Sequence, residues 1–140
     1  MAAYCTQADL VARFGESELI ANSDRAGAAE IDSAVVAAAI AKASNTIDSY
    51  IGARYALPLA SPDPVLQGLC EDLARHALYT VERPELVQKA YDAAIAHLKD
   101  ISRGVARLAI PEPAAATPPQ NEILYEAGDR AVSRAELRKL

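Results

Sequence analysis

The stretch DSAVVAAAIAKASNTIDSYIGARYALPL, residues 32–59, decides how the rest of the chain folds. Asp32 can cap a helix, its carboxylate accepting from an otherwise unpaired first-turn amide. Val36, Ile40, Ala43, Ile47 and the Tyr50/Ile51 pair then recur at helical spacing along one stripe. The spacing predicts an amphipathic helix of about six turns. Gly52 weakens its end, and Pro58 keeps Leu57 out of helical geometry. Ala37, Ala38, Ala39, Ala41 and Ala43 fall on several sides of this helix. Small residues all round predict contact on more than one side, within the fold or with a neighbouring subunit.

Composition limits what can surround that helix. A chain of 140 residues makes one domain plus a tail, with enough buried surface to need neither metal nor disulfide. Apolar residues supply 51% of it but aromatics only 5%, so alanine must thin the core and draw neighbouring helices close. The net charge of -5, without a long basic run, argues against a protein that grips duplex DNA through its phosphates. A mildly acidic wall past which DNA slides remains compatible with it. No apolar run approaches the roughly 20 residues that span a bilayer, and the N-terminus lacks a basic-then-apolar signal. A protein made in the cytoplasm and associated with no membrane is expected. Cys5 and Cys70 form no CxxC pair and fit that compartment, Cys70 as a small buried apolar residue.

The flanking segments read as helices that cover the central one. Thr6 with Asp9 makes a capping box and opens a short helix through Phe14, stopped by Gly15. Residues 16–21 add a turn or two, and 22–31 form a loop. Pro58, Pro62 and Pro64 keep the following connection stiff, and Asp63-Pro64 starts a helix as N-cap and first residue. Leu66, Leu69, Cys70, Leu73, Ala77 and Val81 form its expected buried stripe, with Glu71, Asp72 and Arg75 to the sides or outward. Pro84 begins another helix, with Leu86/Val87, Tyr91, Ala94, Leu98 and Ile101 inward and Gly104 at its end. The predicted fold is mainly α: a small antiparallel bundle of three main helices plus a short N-terminal helix, residues 1–110. The segment PEPAAATPPQ, from residue 111, reads as an extended linker to a C-terminal arm, 111–140, with room for a short β segment.

Chemistry is hard to place on this chain. His76 and His97 fall on different helices, the first beside an apolar stripe and the second toward water, and neither has an orienting partner set by sequence. Two histidines and two cysteines without paired spacing do not predict a zinc site. Adjacent carboxylates such as Glu71 and Asp72 point about 100° apart on a helix, and no phosphate-cradling glycine pattern exists. No catalytic residue, cofactor or metal is predicted.

The runs TQADLVARFGESELI (6–20), DSYIGARYALPL (48–59), LCEDLARHALY (69–79) and AGDRAVSRAELRKL (127–140) resemble the head-tail adaptor proteins of Mu-like phages and prophages. ARYALPL is the most distinctive of these pieces. The resemblance implies a structural virion protein at the head-tail junction, its helical domain assembled as a dodecameric ring. Its partners would be the portal protein, tail-connecting or stopper proteins and its own copies, with DNA passing through the ring. Relatives of this kind show an acidic, glycine-containing loop similar to a calcium loop where DRAGAAEID stands. Here Ala26 and Ala28 replace two ligands, Ala29 the turn glycine and Val35 the final glutamate, leaving too few oxygens from Asp24, Glu30 and Asp32. In such rings an arm crosses to a neighbour or to the portal, which points to Tyr125, Val132, Arg134 and Leu137 as contacts and to Arg130 and Arg138 as charge partners. Arg54 and Tyr55 are further candidates, against the alternative that they pack the proline loop. A second reading is a small helical DNA-binding or packaging factor, such as a terminase small subunit. Its recognition helix would be 87–103, where Gln88, Lys89, Lys99 and Arg103 share the helix with Asp92 and Asp100.

Overall fold

In the computed structural model, which describes residues 3–59, 61 and 63–110, five helices follow one another. They are α1 (Gln7–Phe14), α2 (Glu16–Ser23), α3 (Ser33–Ile51), α4 (Pro64–Leu78) and α5 (Glu85–Arg103). No strand occurs among the described residues. The expected arm, 111–140, and its β segment lie outside them.

α1, α3 and α4 each begin where a side chain meets the first free amides. The Thr6 hydroxyl accepts from the Asp9 amide at 3.3 Å while the Thr6 amide donates to the Asp9 carboxylate at 2.8 Å, completing the capping box. Asp32 accepts from Ala34 and Val35 at 3.0 and 3.3 Å and starts α3. Asp63 accepts from Val65 at 2.8 Å, with Pro64 filling the first helical position of α4. Gly15, at φ 92°, turns α1 directly into α2, which runs two residues further than the sequence suggests. Ser23 is the reason: it is fully buried, and its hydroxyl accepts from the Asp32 amide at 3.1 Å, clasping the ends of the loop between α2 and α3.

α3, α4 and α5 form the expected antiparallel core. Ser44 meets Cys70 and Ala39 lies near Leu78, so α3 and α4 run opposite ways. His76 meets Tyr91 while Asp63 meets Ala109, so α4 and the segment led by α5 also oppose. Val36, Ile40, Ile47 and Ile51 of α3, Leu66, Leu69 and Leu73 of α4, and Val87, Leu98 and Ile101 of α5 are buried. Ala39, Ala43, Ala74 and Ala94 lie buried among them, the small residues that allow close approach. α1 and α2 lie across α3 and α4.

Three expectations need correction. Val81 is 93% exposed, because α4 ends at Leu78 and Tyr79 is extended at φ -76°, ψ 104°, which breaks the helical phase. Leu86 is 69% exposed, and Val87 alone takes the inward position at the start of α5. Glu71 is only 6% exposed rather than outward, because Arg13 of α1 lies over it.

Candidate interaction surface

Most charged groups near the core are engaged with one another. Arg13 donates to Glu71 at 2.9 Å, to Asp72 at 3.0 Å and to the Gly68 carbonyl at 3.1 Å. Gln67 donates to the other Glu71 oxygen at 3.1 Å. Arg75 grips both oxygens of Glu18 at 2.6 and 3.1 Å, and the Tyr79 hydroxyl donates to the same carboxylate at 3.1 Å. The Phe14 ring receives both guanidinium groups, with carbon-to-centroid distances of 5.0 Å for Arg13 and 4.4 Å for Arg75. Burial raises the Asp72 pKa despite the opposing pull of Arg13. These contacts fasten α1 and α2 to α4; they place no nucleophile beside a base.

His76 packs as the sequence suggests. Its ring stacks on Tyr91 with centroids 3.8 Å apart, and Nε2 lies 3.1 Å from the Gln88 amide oxygen. Burial holds its pKa below the ordinary imidazole value. Cys5 and Cys70, 65 residues apart, meet in the core with sulfurs 3.1 Å apart, and the Ser44 hydroxyl lies 3.7 Å from Cys70. Both are free thiols; the bond to Cys70, then burial, pushes the Cys5 pKa up. Asp24 turns its carboxylate onto its own loop, accepting from Gly27, Ala28 and Ala29 at 2.8, 3.1 and 2.8 Å, and these bonds lower its pKa. The described residues hold no group of three or more metal-ligating side chains.

The candidate recognition helix uses its amide side chain internally. Gln88 donates to Asp92 at 3.0 Å besides meeting His76, and Lys89 pairs with Glu85 at 2.7 Å. Of the expected contact residues, only Arg54 and Tyr55 are among the described ones. Tyr55 is 3% exposed and accepts from the Leu108 amide at 3.1 Å, which packs the proline connection and the segment after α5. The Arg54 guanidinium lies over Gly104, where a Cβ would collide with it. Tyr125, Arg130, Val132, Arg134, Leu137 and Arg138 lie outside the described residues.

What faces outward is the other side of α3. Ala37, Ala38 and Ala41 are exposed, while Ala39 and Ala43 are buried. Beside them, a groove of about 240 Å³ runs between the first half of α3 and the end of α4, floored by Val35, Ala38, Ala39, Ala77 and Leu78. Arg25 borders it toward α2 and Lys42 toward α5, where a second hollow holds His76, Arg83 and Tyr91. Sequence reading noted the alanines of this face but not the two cations. Lys42 is the one charge between Ser33 and Asp48, which was the available signal.

A family model described as Bacteriophage Mu, Gp36 matches residues 4–126. The Mu-like prophage FluMu protein gp36 of Haemophilus influenzae is 28% identical over 127 residues, which cover 91% of this chain and 90% of that relative. Gene product J of Escherichia phage Mu is 28% identical over 130 residues, 92% of each chain.

Proposed function

Because the chain belongs to the bacteriophage Mu Gp36 family, we propose that it is a structural protein of the phage particle, a head-tail adaptor whose copies form a ring between portal and tail. The observation that carries this reading is the open face of α3. A helix that buries one stripe in its own bundle presents exposed Ala37, Ala38 and Ala41 beside a groove, the kind of surface that another polypeptide covers. The internally paired carboxylates, and the absence of a metal-ligating cluster among the described residues, offer nothing that competes with this role. Portal protein on one side and tail-connecting or stopper proteins on the other are the partners it implies. DNA would cross the ring lumen without being gripped, as the net charge of -5 favours.

The test is a phage genome from which the gene is deleted. An adaptor's loss leaves DNA-filled heads and finished tails that fail to join, and supplying the full chain restores joining. Joined infectious particles without the protein refute the proposal. Empty heads, with packaging itself blocked, favour the terminase-like alternative, for which salt-sensitive retention on duplex DNA is the confirming measurement.

A further inference from the structure

We infer that the groove between the first half of α3 and the end of α4 receives the run EILYE, residues 122–126, from a neighbouring copy of the chain. The inference rests on the ring reading and supplies its subunit contact. Three observations point to this occupant.

The first is the chemistry of the groove. Its floor is apolar and shallow, made of Val35, Ala38, Ala39, Ala77 and Leu78, so bulky side chains can settle where alanine leaves space. Its two charged borders, Arg25 and Lys42, are cations with no carboxylate within ion-pair distance among the described residues. Arg83 lines the adjoining hollow, where His76 is the neighbouring titratable group beside Tyr91. Glu82 and Asp24 line the hollow on the α2 side, and Asp24 is turned onto its own loop amides. An acidic segment with an apolar centre is the complement of such a surface.

The second is the sequence of the chain beyond the described bundle. Residues 122–126 hold Ile123, Leu124 and Tyr125 between Glu122 and Glu126, with no cation from 111 to 129. The cations of this end, Arg130, Arg134, Arg138 and Lys139, come after that run. The family model extends to residue 126, taking in the whole of EILYE and stopping there.

The third is where the chain leaves. Tyr55 accepts from the Leu108 amide and Asp63 from the Ala109 amide, which fixes the exit beside the end of α3 and the start of α4. The groove lies at the opposite end of that helix pair, roughly 20 Å away along α3 at 1.5 Å per residue. The residues between exit and run, 111–121, span roughly 35 Å when extended. Donor at one pole and acceptor at the other is the geometry of a head-to-tail contact, which makes a ring where the rotation between copies closes.

The test uses particles assembled from full-length chain carrying both A38C and L124C, oxidised mildly and run under non-reducing conditions. A ladder of linked copies is expected, with none from either single variant; Cys5 and Cys70 are buried and lie within one chain. Links only within single chains, or chains present in particles but unlinked, overturn the inference and leave the ring reading standing. Unsubstituted chain missing from the particles overturns both. If the double-cysteine chain fails to fold, a charge exchange replaces it. R25E with K42E is expected to lower incorporation roughly tenfold, and E122K with E126K on the same chain to restore it. Failure to restore, with both chains folded, overturns the inference.

Discussion

Substituting Asp63 separates two jobs that one carboxylate performs. One oxygen accepts from the Val65 amide at 2.8 Å and caps α4, while the other accepts from the Ala109 amide at 2.9 Å and pins the segment that follows α5. Asp63 is buried, so water cannot replace either bond. Asp63→Ala loses a cap worth about 1 kcal/mol. It also loses a charge-assisted bond to Ala109 worth roughly 1.5–3 kcal/mol. The sum is about 3 kcal/mol, a fall in Tm of about 10 °C for a domain of this size. Asp63→Asn keeps an acceptor for Val65 but turns an amide NH2 toward the Ala109 N–H, so it costs about 2 kcal/mol, all of it at the exit segment. Urea unfolding gives the totals, and hydrogen exchange at Leu108 and Ala109 assigns them. Tyr55→Phe removes the acceptor for Leu108 and is expected to be non-additive with Asp63→Asn. Equal costs for the alanine and asparagine variants, or unchanged exchange at Ala109, would refute the two-job account.

Arg13→Ala leaves the buried Glu71 carboxylate with Gln67 alone and costs about 2 kcal/mol in chemical denaturation, more than Glu71→Gln, which removes the charge itself. Burial holds the folded His76 pKa below its unfolded value of 6.5; Gln88 and Asp92 favour protonation, and Arg83 and Lys42 oppose it. The unfolded chain therefore takes the proton first: stability is full above about pH 6.5 and declines as pH falls through the folded pKa. His76→Gln should flatten that decline, measured as urea midpoints between pH 7 and pH 5. Oxidation of the purified chain by diamide should join Cys5 to Cys70 within one chain, seen as a faster band on a non-reducing gel. That link closes a loop of some 65 residues and raises stability by about 4 kcal/mol, while Cys5→Ser shows neither change.

Local signals were legible because local physics decides them. Thr6 with Asp9, Asp32, and Asp63 with Pro64 each satisfy amides within three residues, so α1, α3 and α4 begin where the sequence places them. Gly104 belongs with them, at φ 79° under the Arg54 guanidinium. What failed depended on distant chain. Glu71 is buried because Arg13 arrives from 58 residues away, and periodicity within α4 carries no trace of that partner. Val81 continues the α4 stripe on paper, yet the extended backbone at Tyr79 removes it from the helix. The meeting of Cys5 and Cys70 rests on how the first residues cross α3 and α4, which spacing cannot report. The surface follows the same division. Its alanines were visible, but the cations that border the groove become neighbours only when the loop after α2 folds beside α3 and α4.

Two kinds of force hold the bundle, and they divide its surface. α3, α4 and α5 meet through Ile, Leu, Val and Ala, contacts that are non-directional and indifferent to charge. α1 and α2 add Leu10 and Leu19 to that core, but they are keyed to α4 by Arg13 with Glu71 and Asp72, and by Arg75 with Glu18, on either side of Phe14. Those pairs set the carboxylates of Glu18, Glu71 and Asp72 against the guanidinium groups of Arg13 and Arg75, so that side is left net acidic. Around the groove no such pairing occurs among the described residues, and Arg25 and Lys42 border an apolar floor. A fold that leaves one face acidic and sets cations on another has a direction. Directional contacts are what repeated copies need if they are to join as a ring rather than as indifferent pairs.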